Sequence, residues 1–316
     1  IEALAGYREL VLKQRNVVLP SLAGALSSIG GLCKKCSEFD EAEEYYNEAL
    51  AIRRELVASA REAYLPALAG ALFDLGNLYY ARNEYAQDEA FQEEALSIRR
   101  ELVRKNRHLY LPGLASSLNA FACAQKARGN FVGAEESWRE AVMLRRELVD
   151  EMRLPYLSGL AQSLTNLGNV QKSLLQYDVA EKSYREATAL YRECAQDGRN
   201  ANFEALAWNL GVLGNLLLAR HKYGEARSCL QESLELRRQL AAREPSAYSG
   251  ELAVACANLA GGYYSRGEYF KAEELRLEEL GLRRALVEKN RQSGLPGLAS
   301  VLTSLGSLRN YVLGDF

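Results

Sequence analysis

Leu65-Pro66-Ala67-Leu68-Ala69 recurs as Leu111-Pro112-Gly113-Leu114-Ala115 and again as Leu295-Pro296-Gly297-Leu298-Ala299. The step from Pro66 to Pro112 is 46 residues, and Pro296 lies five such steps beyond Pro66. The same register places unit starts near residues 20, 66, 112, 158, 204, 250 and 296. A fixed period of this length is the signature of stacked supersecondary units, each too small to bury its apolar face alone.

Each unit reads as two helices. Leu68, Leu72, Leu75 and Tyr79 share one helical face, and Ala42, Tyr45, Ala49, Ile52 and Leu56 share another. An aromatic residue opens every second helix: Phe39, Tyr85, Phe131, Tyr177, Tyr223 and Tyr269. The six prolines are expected in or beside the connectors, because a helix interior tolerates proline poorly. Within the first helix one position is always small: Gly30, Gly76, Ala122, Gly168, Gly214, Ala260 and Gly306. Mid-helix glycine costs about 1 kcal/mol against alanine, so its recurrence implies close approach of the paired helix. Small residues also recur in the second helix, at Ala49, Ala95, Ala141, Ala187 and Ser233.

The pattern Leu72, Leu75-Gly76, Tyr79 and Tyr85, with Ala42, Tyr46 and Ala49, resembles the tetratricopeptide repeat. The usual period of that family is 34 residues. The longer period here is similar to the long-helix repeats of bacterial signalling proteins and, more distantly, kinesin light chains. The resemblance implies an all-α, right-handed superhelical solenoid of antiparallel helix hairpins, with about 14 helices in one array over residues 1–316. Residues 1–16 align with the back half of a second helix, 296–316 form the first helix of a truncated seventh unit, and Gly314-Asp315-Phe316 reads as the turn after it. The chain thus reads as a piece of a longer protein. Asp88 and Glu279 depart from the pattern, standing where the family places small residues.

Composition narrows the function. With 39 basic and 41 acidic residues the net charge is −2, so the chain lacks the basic surplus that binds nucleic acid or anionic membrane. No apolar run is expected to approach the roughly 18–20 residues of a membrane span. Six cysteines are too sparse for a disulfide scaffold, which points to the cytoplasm.

Little in the sequence carries catalytic or metal chemistry, and neither an enzyme activity nor a cofactor is expected. His108 and His221 are far apart with no nucleophile at useful spacing. Cys33-Lys34-Lys35-Cys36 is a lone C-x-x-C, and Cys33 occupies the packing position filled by Tyr79 and Tyr263 elsewhere. Tandem arginines (Arg53-Arg54, Arg99-Arg100, Arg145-Arg146, Arg237-Arg238, Arg283-Arg284) close the second helices, where they suit the helix dipole and inter-repeat salt links.

The resemblance implies a concave groove lined by first helices. Beside the small residues this face carries Asn77, Tyr80, Asn119, Lys126, Asn166, Asn169, Lys172, Trp208, Asn215, Asn258 and Tyr264. Asn amides both donate and accept, which suits an extended peptide backbone. Lys126 and Lys172 would attract an acidic side chain or terminal carboxylate, and Cys123 would present a modifiable thiol. The expected role is a protein- or peptide-binding scaffold or sensor. The alternative is the regulatory arm of a multidomain signalling ATPase or caspase-like protease, whose other domains would then be its partners.

Overall fold

In the computed structural model, which describes residues 2–196 and 200–313, each second helix starts on the aromatic residue that marks it. The described residues form thirteen helices and no strand: α1 (Glu2–Lys35), α2 (Phe39–Ser59), α3 (Arg61–Ala81), α4 (Tyr85–Lys105), α5 (Arg107–Ala127), α6 (Phe131–Glu151), α7 (Arg153–Ser173), α8 (Tyr177–Ala195), α9 (Asn200–Ala219), α10 (Tyr223–Arg243), α11 (Pro245–Tyr264), α12 (Tyr269–Lys289) and α13 (Arg291–Leu313). First and second helices of each repeat pack as antiparallel hairpins. The count is one lower than expected because α1 runs from Glu2 through Pro20 without a break. The turn expected at residues 314–316 lies outside the described residues.

Two kinds of joint alternate. Inside each hairpin the chain turns through one residue in the left-handed region: Ser37, Asn83, Gly129, Leu175, His221 and Gly267, again 46 residues apart. Each carries the paired bonds of a Schellman ending. At the first of them Glu38 N donates to Cys33 O at 2.9 Å and Ser37 N to Lys34 O at 3.1 Å. Between hairpins the joint is a single extended residue, as at Ala60 (φ −149°, ψ 76°), Asn106, Met152, Glu244 and Asn290.

That short joint corrects the expected placement of the prolines. First helices begin about five residues before Pro66, Pro112 and Pro296, so these prolines lie inside helices, whereas Pro245 sits at the helix start. One extended residue is enough to reverse the chain, and the helix then starts at once. Proline in the second turn leaves only one first-turn carbonyl without its helical donor, a smaller loss than in mid-helix.

The small positions of the first helices are notches for the facing helix. A Cβ on Gly168 would meet Tyr184 Cε1 at 2.7 Å, and one on Gly214 would meet Leu230 Cγ at 2.6 Å. A Cβ on Gly30 would meet the Tyr46 ring at 3.1 Å. A large side chain of the second helix, rather than its small residue, fills each of these notches.

Residues 1–153 and 154–316 form two compact units. In the first, Leu65, Leu68, Leu72, Leu75, Leu78 and Tyr46 build the core between α2, α3 and α4. In the second, Leu213, Leu216, Leu217 and Tyr184 pack between α8, α9 and α10, and Leu230, Leu252, Cys256 and Leu259 continue between α10, α11 and α12. One segment, Val17–Lys35, is long and apolar enough to cross a membrane, against the expectation that none is. Here Leu19, Leu22 and Leu26 of that segment are buried together with Ala49 and Leu56 of α2, as a hairpin helix would bury them.

Candidate partner-binding site

First helices of neighbouring hairpins touch one another directly, α1 with α3, α3 with α5, and α9 with α11. The side chains beside the small positions therefore meet across adjacent hairpins, and pockets form between them in both units.

In the second unit the centre is Trp208 of α9, 54% exposed. A cavity of about 230 Å³ opens on one side of it, lined by Val212, Asn215, Val254 and Asn258. Another of about 320 Å³ opens on the other side, lined by Gln162, Thr165, Asn166 and Tyr191. Arg237 and Glu251 border both cavities, and their side chains are ion-paired. Ser233 Oγ donates to Ala207 O at 2.7 Å, holding α10 against α9 beneath the indole. The arrangement presents a large amphipathic ring amid amides and a paired charge, the kind of surface on which binding anchors concentrate.

In the first unit a pocket of about 230 Å³ lies between α3, α4 and α5, lined by Phe73, Asn77, Tyr80, Asp88, Asn119 and Cys123 among others. Tyr80 is 43% exposed and rests against Tyr85 with ring centres 5.5 Å apart. Nearby, the guanidinium of Arg99 lies 4.9 Å over the Phe73 ring and donates to Gly113 O. Burial pushes the Asp74 carboxyl up, while Arg53, Lys34 and Arg99 pull it down.

The structure therefore brings Asn77, Tyr80 and Asn119 together in one unit, and Asn166, Trp208, Asn215 and Asn258 in the other. Two of the expected amides are already used within their hairpins. Trp138 Nε1 donates to Asn119 Oδ1 at 3.0 Å, and Tyr184 OH donates to Asn169 Oδ1 at 2.8 Å. Thr165 is buried, donating to Asn209 Oδ1 at 2.9 Å, while Asn209 in turn donates to Thr188 Oγ1 and Tyr184 O. Tyr264 packs edge-on against Tyr269, and Lys126 is half-buried whereas Lys172 is exposed. Burial pushes the Cys123 thiol up to about 11, so it is a protonated, weakly reactive group rather than a ready site of modification.

The tandem arginines divide their work in a way the sequence did not reveal. In three of the five pairs the second arginine joins neighbouring repeats, Arg54 to Glu94 at 3.0 Å, Arg100 to Glu140 at 2.8 Å and Arg238 to Glu278 at 2.7 Å. Arg192, preceded by Tyr191, makes the same link to Glu232 at 2.6 Å. Arg99 and Arg237, the first of their pairs, turn toward the first helices instead. Adjacent helical residues point about 100° apart, which accounts for the split. Among the described residues, one group has metal-ligand spacing: Cys33 Sγ and the carboxylates of Glu38 and Glu41 lie within 4.8 Å of one another. Burial, Glu38 and Glu41 all push the Cys33 thiol up, which disfavours the thiolate a metal requires.

With this geometry in place, comparison with known proteins is decisive for the family. Tetratricopeptide-repeat models match residues 25–56, 68–106, 161–194 and 207–244. The chain is a tetratricopeptide-repeat protein. No curated protein matches it significantly. Among solved structures, this repeat protein is similar to BtubC (BKLC) from P. vanneervenii, with TM-score 0.62 and 20% identity over 76% of this chain and 89% of that one. It is also similar to a putative kinesin light chain from Podosopora anserina, with TM-score 0.55 and 17% identity over 72% and 98% of the two chains. A third is a signal transduction ATPase with numerous domains and a tetratricopeptide repeat sensor from Pyrococcus horikoshii, with TM-score 0.65 and 14% identity. That match spans 99% of this chain but 43% of the ATPase. At these identities the likeness is one of fold.

Proposed function

We propose that this protein binds a segment of another protein along a concave groove formed by its first helices, and that it does no catalysis of its own. The observation that carries this reading is Trp208, a half-exposed indole set between two cavities bordered by Asn166, Asn215 and Asn258. Exposing so large an apolar ring costs solvation unless something covers it. The amides around it suit a peptide main chain, whose donors and acceptors alternate. The sparse cysteines fit a cytoplasmic setting.

The test is retention of partners from a cell extract by the wild-type chain and by Trp208→Ala, with circular dichroism as a folding control. Loss of the retained protein at unchanged helix content is expected, since central aromatic anchors typically contribute about 2 kcal/mol or more. Unchanged retention would remove Trp208, and with it this face, from the binding surface.

A second reading is favoured by the signalling-ATPase match, in which a repeat array described as a sensor accompanies other domains. Under it the same groove regulates a linked ATPase or caspase-like protease. A nucleotide-binding or protease motif elsewhere in the full-length gene supports it, and a gene encoding repeats alone rejects it.

A further inference from the structure

The pocket between α3, α4 and α5 contains a group that general peptide binding does not explain. In five units the first buried position of the second helix is alanine: Ala42, Ala134, Ala180, Ala226 and Ala272, all with no exposure. In the remaining unit it is Asp88, itself 1% exposed. A buried carboxylate is tolerated when a counterion meets it. Every other buried carboxylate among the described residues has one. Glu135 pairs with Arg139 at 2.6 Å, Glu181 with Arg185 and Lys222 at 2.9 Å each, and Glu279 with Arg276 at 2.8 Å. Asp88 has no counterion among the described residues, and the Gln92 side chain beside it leaves both carboxylate oxygens without a well-formed hydrogen bond.

Its neighbour sharpens the pattern. Gln92, one turn further along α4, is fully buried and occupies the position of Tyr46, Tyr184 and Leu230 in other units. Its Oε1 is also without a partner. Three buried acceptors thus lie together, with the Gln92 amide as their neighbour and no cation of the described residues paired with Asp88. Asp88 borders the cavity that Phe73, Tyr80, Asn77 and Asn119 also line. That cavity, at about 230 Å³, exceeds the roughly 30 Å³ share of a single water several-fold. Unsatisfied acceptors beneath aromatic rings recruit a group that only donates and carries positive charge. Arg145 also borders the cavity, but its side chain is already engaged.

We propose that this pocket receives a cationic side chain, arginine or lysine, of the bound protein segment, with Asp88 as its counterion and Phe73 and Tyr80 as its walls. The proposal rests on the groove-binding reading and adds to it the chemistry of one partner residue.

The probe is an acetylated, amidated alanine pentapeptide with arginine at its centre, compared with versions carrying lysine, neutral citrulline or glutamate. Each is titrated into the whole chain while the side-chain amide resonances of Asn77 and Asn119 are followed. Saturable shifts are expected for arginine and lysine, with binding weaker by about tenfold or more for citrulline and absent for glutamate. Asp88→Ala, which installs the residue of the other repeats, should fold normally and lose the preference for the cation. Trp208→Ala should keep it. Equal binding of arginine and citrulline, or a preference that survives Asp88→Ala, would overturn the proposal. The absence of any shift would do so as well, leaving solvent as the occupant. If the extract-derived partner still depends on Trp208 in any of these cases, the groove stands and only the cation pocket falls.

Discussion

At the scale of single residues, Asp88 shows function and stability pulling apart. Burial pushes its carboxyl up to about 6, the Glu89 charge adds to the rise, and the Gln92 side chain opposes it. The other titratable groups coupled to it are Tyr80 on α3 and Cys123 on α5. In the unfolded chain an aspartate titrates near pH 3.9. The folded form therefore holds its proton more tightly, so the favourable contribution is complete below about pH 4 and is lost as pH rises through about 6. Two units of difference correspond to about 3 kcal/mol at neutral pH. Asp88→Ala should accordingly raise stability to urea at pH 7 by about 2–3 kcal/mol and flatten its pH dependence between 4 and 6. Five sister positions already hold alanine in fully buried surroundings, so little cavity cost is expected. A destabilised variant would mean that the carboxylate has a partner within the fold. Retaining so costly a group is reasonable where a ligand repays it, because binding sites are commonly maintained at the expense of stability.

At the scale of helices and turns, the Schellman endings set how each hairpin closes, and they do so with different residues at one conformation. Gly129 and Gly267 adopt positive φ without a Cβ penalty, whereas Leu175 holds φ 61° with its side chain 70% exposed. A non-glycine residue there pays about 1–2 kcal/mol, and its exposed side chain recovers little. Leu175→Gly should therefore stabilise the α7–α8 hairpin, by about 0.5–1 kcal/mol after the extra freedom of the unfolded glycine is discounted. Urea denaturation checks it, and a loss of stability would show that Leu175 makes contacts worth more than its strain. The same elements show how far a sequence can be read. Aromatic helix starts and small notches follow from period and size alone, so both were legible, as was the hairpin architecture. The helix starts before Pro66 and Pro112 were not, since they depend on one extended joint residue with no fixed identity: alanine at 60, asparagine at 106 and methionine at 152. The groove was legible as a face but not as a set of free groups. Asn169 stands at the same register position as Asn215, yet its carbonyl oxygen accepts from Tyr184, and that of Asn119 accepts from Trp138. The orphaned state of Asp88 was likewise hidden, because a missing counterion is a fact of three dimensions.

At the scale of each unit, the packing runs along the chain: helices meet their sequence neighbours, and first helices also reach across one intervening helix, as α1 does to α3 and α9 to α11. Exposed links such as Arg61 to Glu101 at 2.7 Å and Arg107 to Glu147 at 2.6 Å repeat from hairpin to hairpin, each contributing about 0–1 kcal/mol. Stability in such an array is close to a sum of hairpin terms and nearest-neighbour interfaces, so a local change should remain local. Asp88→Ala supplies the test within residues 1–153. Amide exchange followed by mass spectrometry should slow in α3, α4 and α5, which surround the substituted site, with a smaller effect in the part of α1 that precedes Pro20. An equal gain throughout residues 1–153 would show instead that these hairpins open as one cooperative block. Local stiffening would also link the two roles of the site. A cation arriving at Asp88 would relieve the same unfavourable charge that the substitution removes, so its binding should protect the same amides, and the pocket would report occupancy as rigidity of three helices.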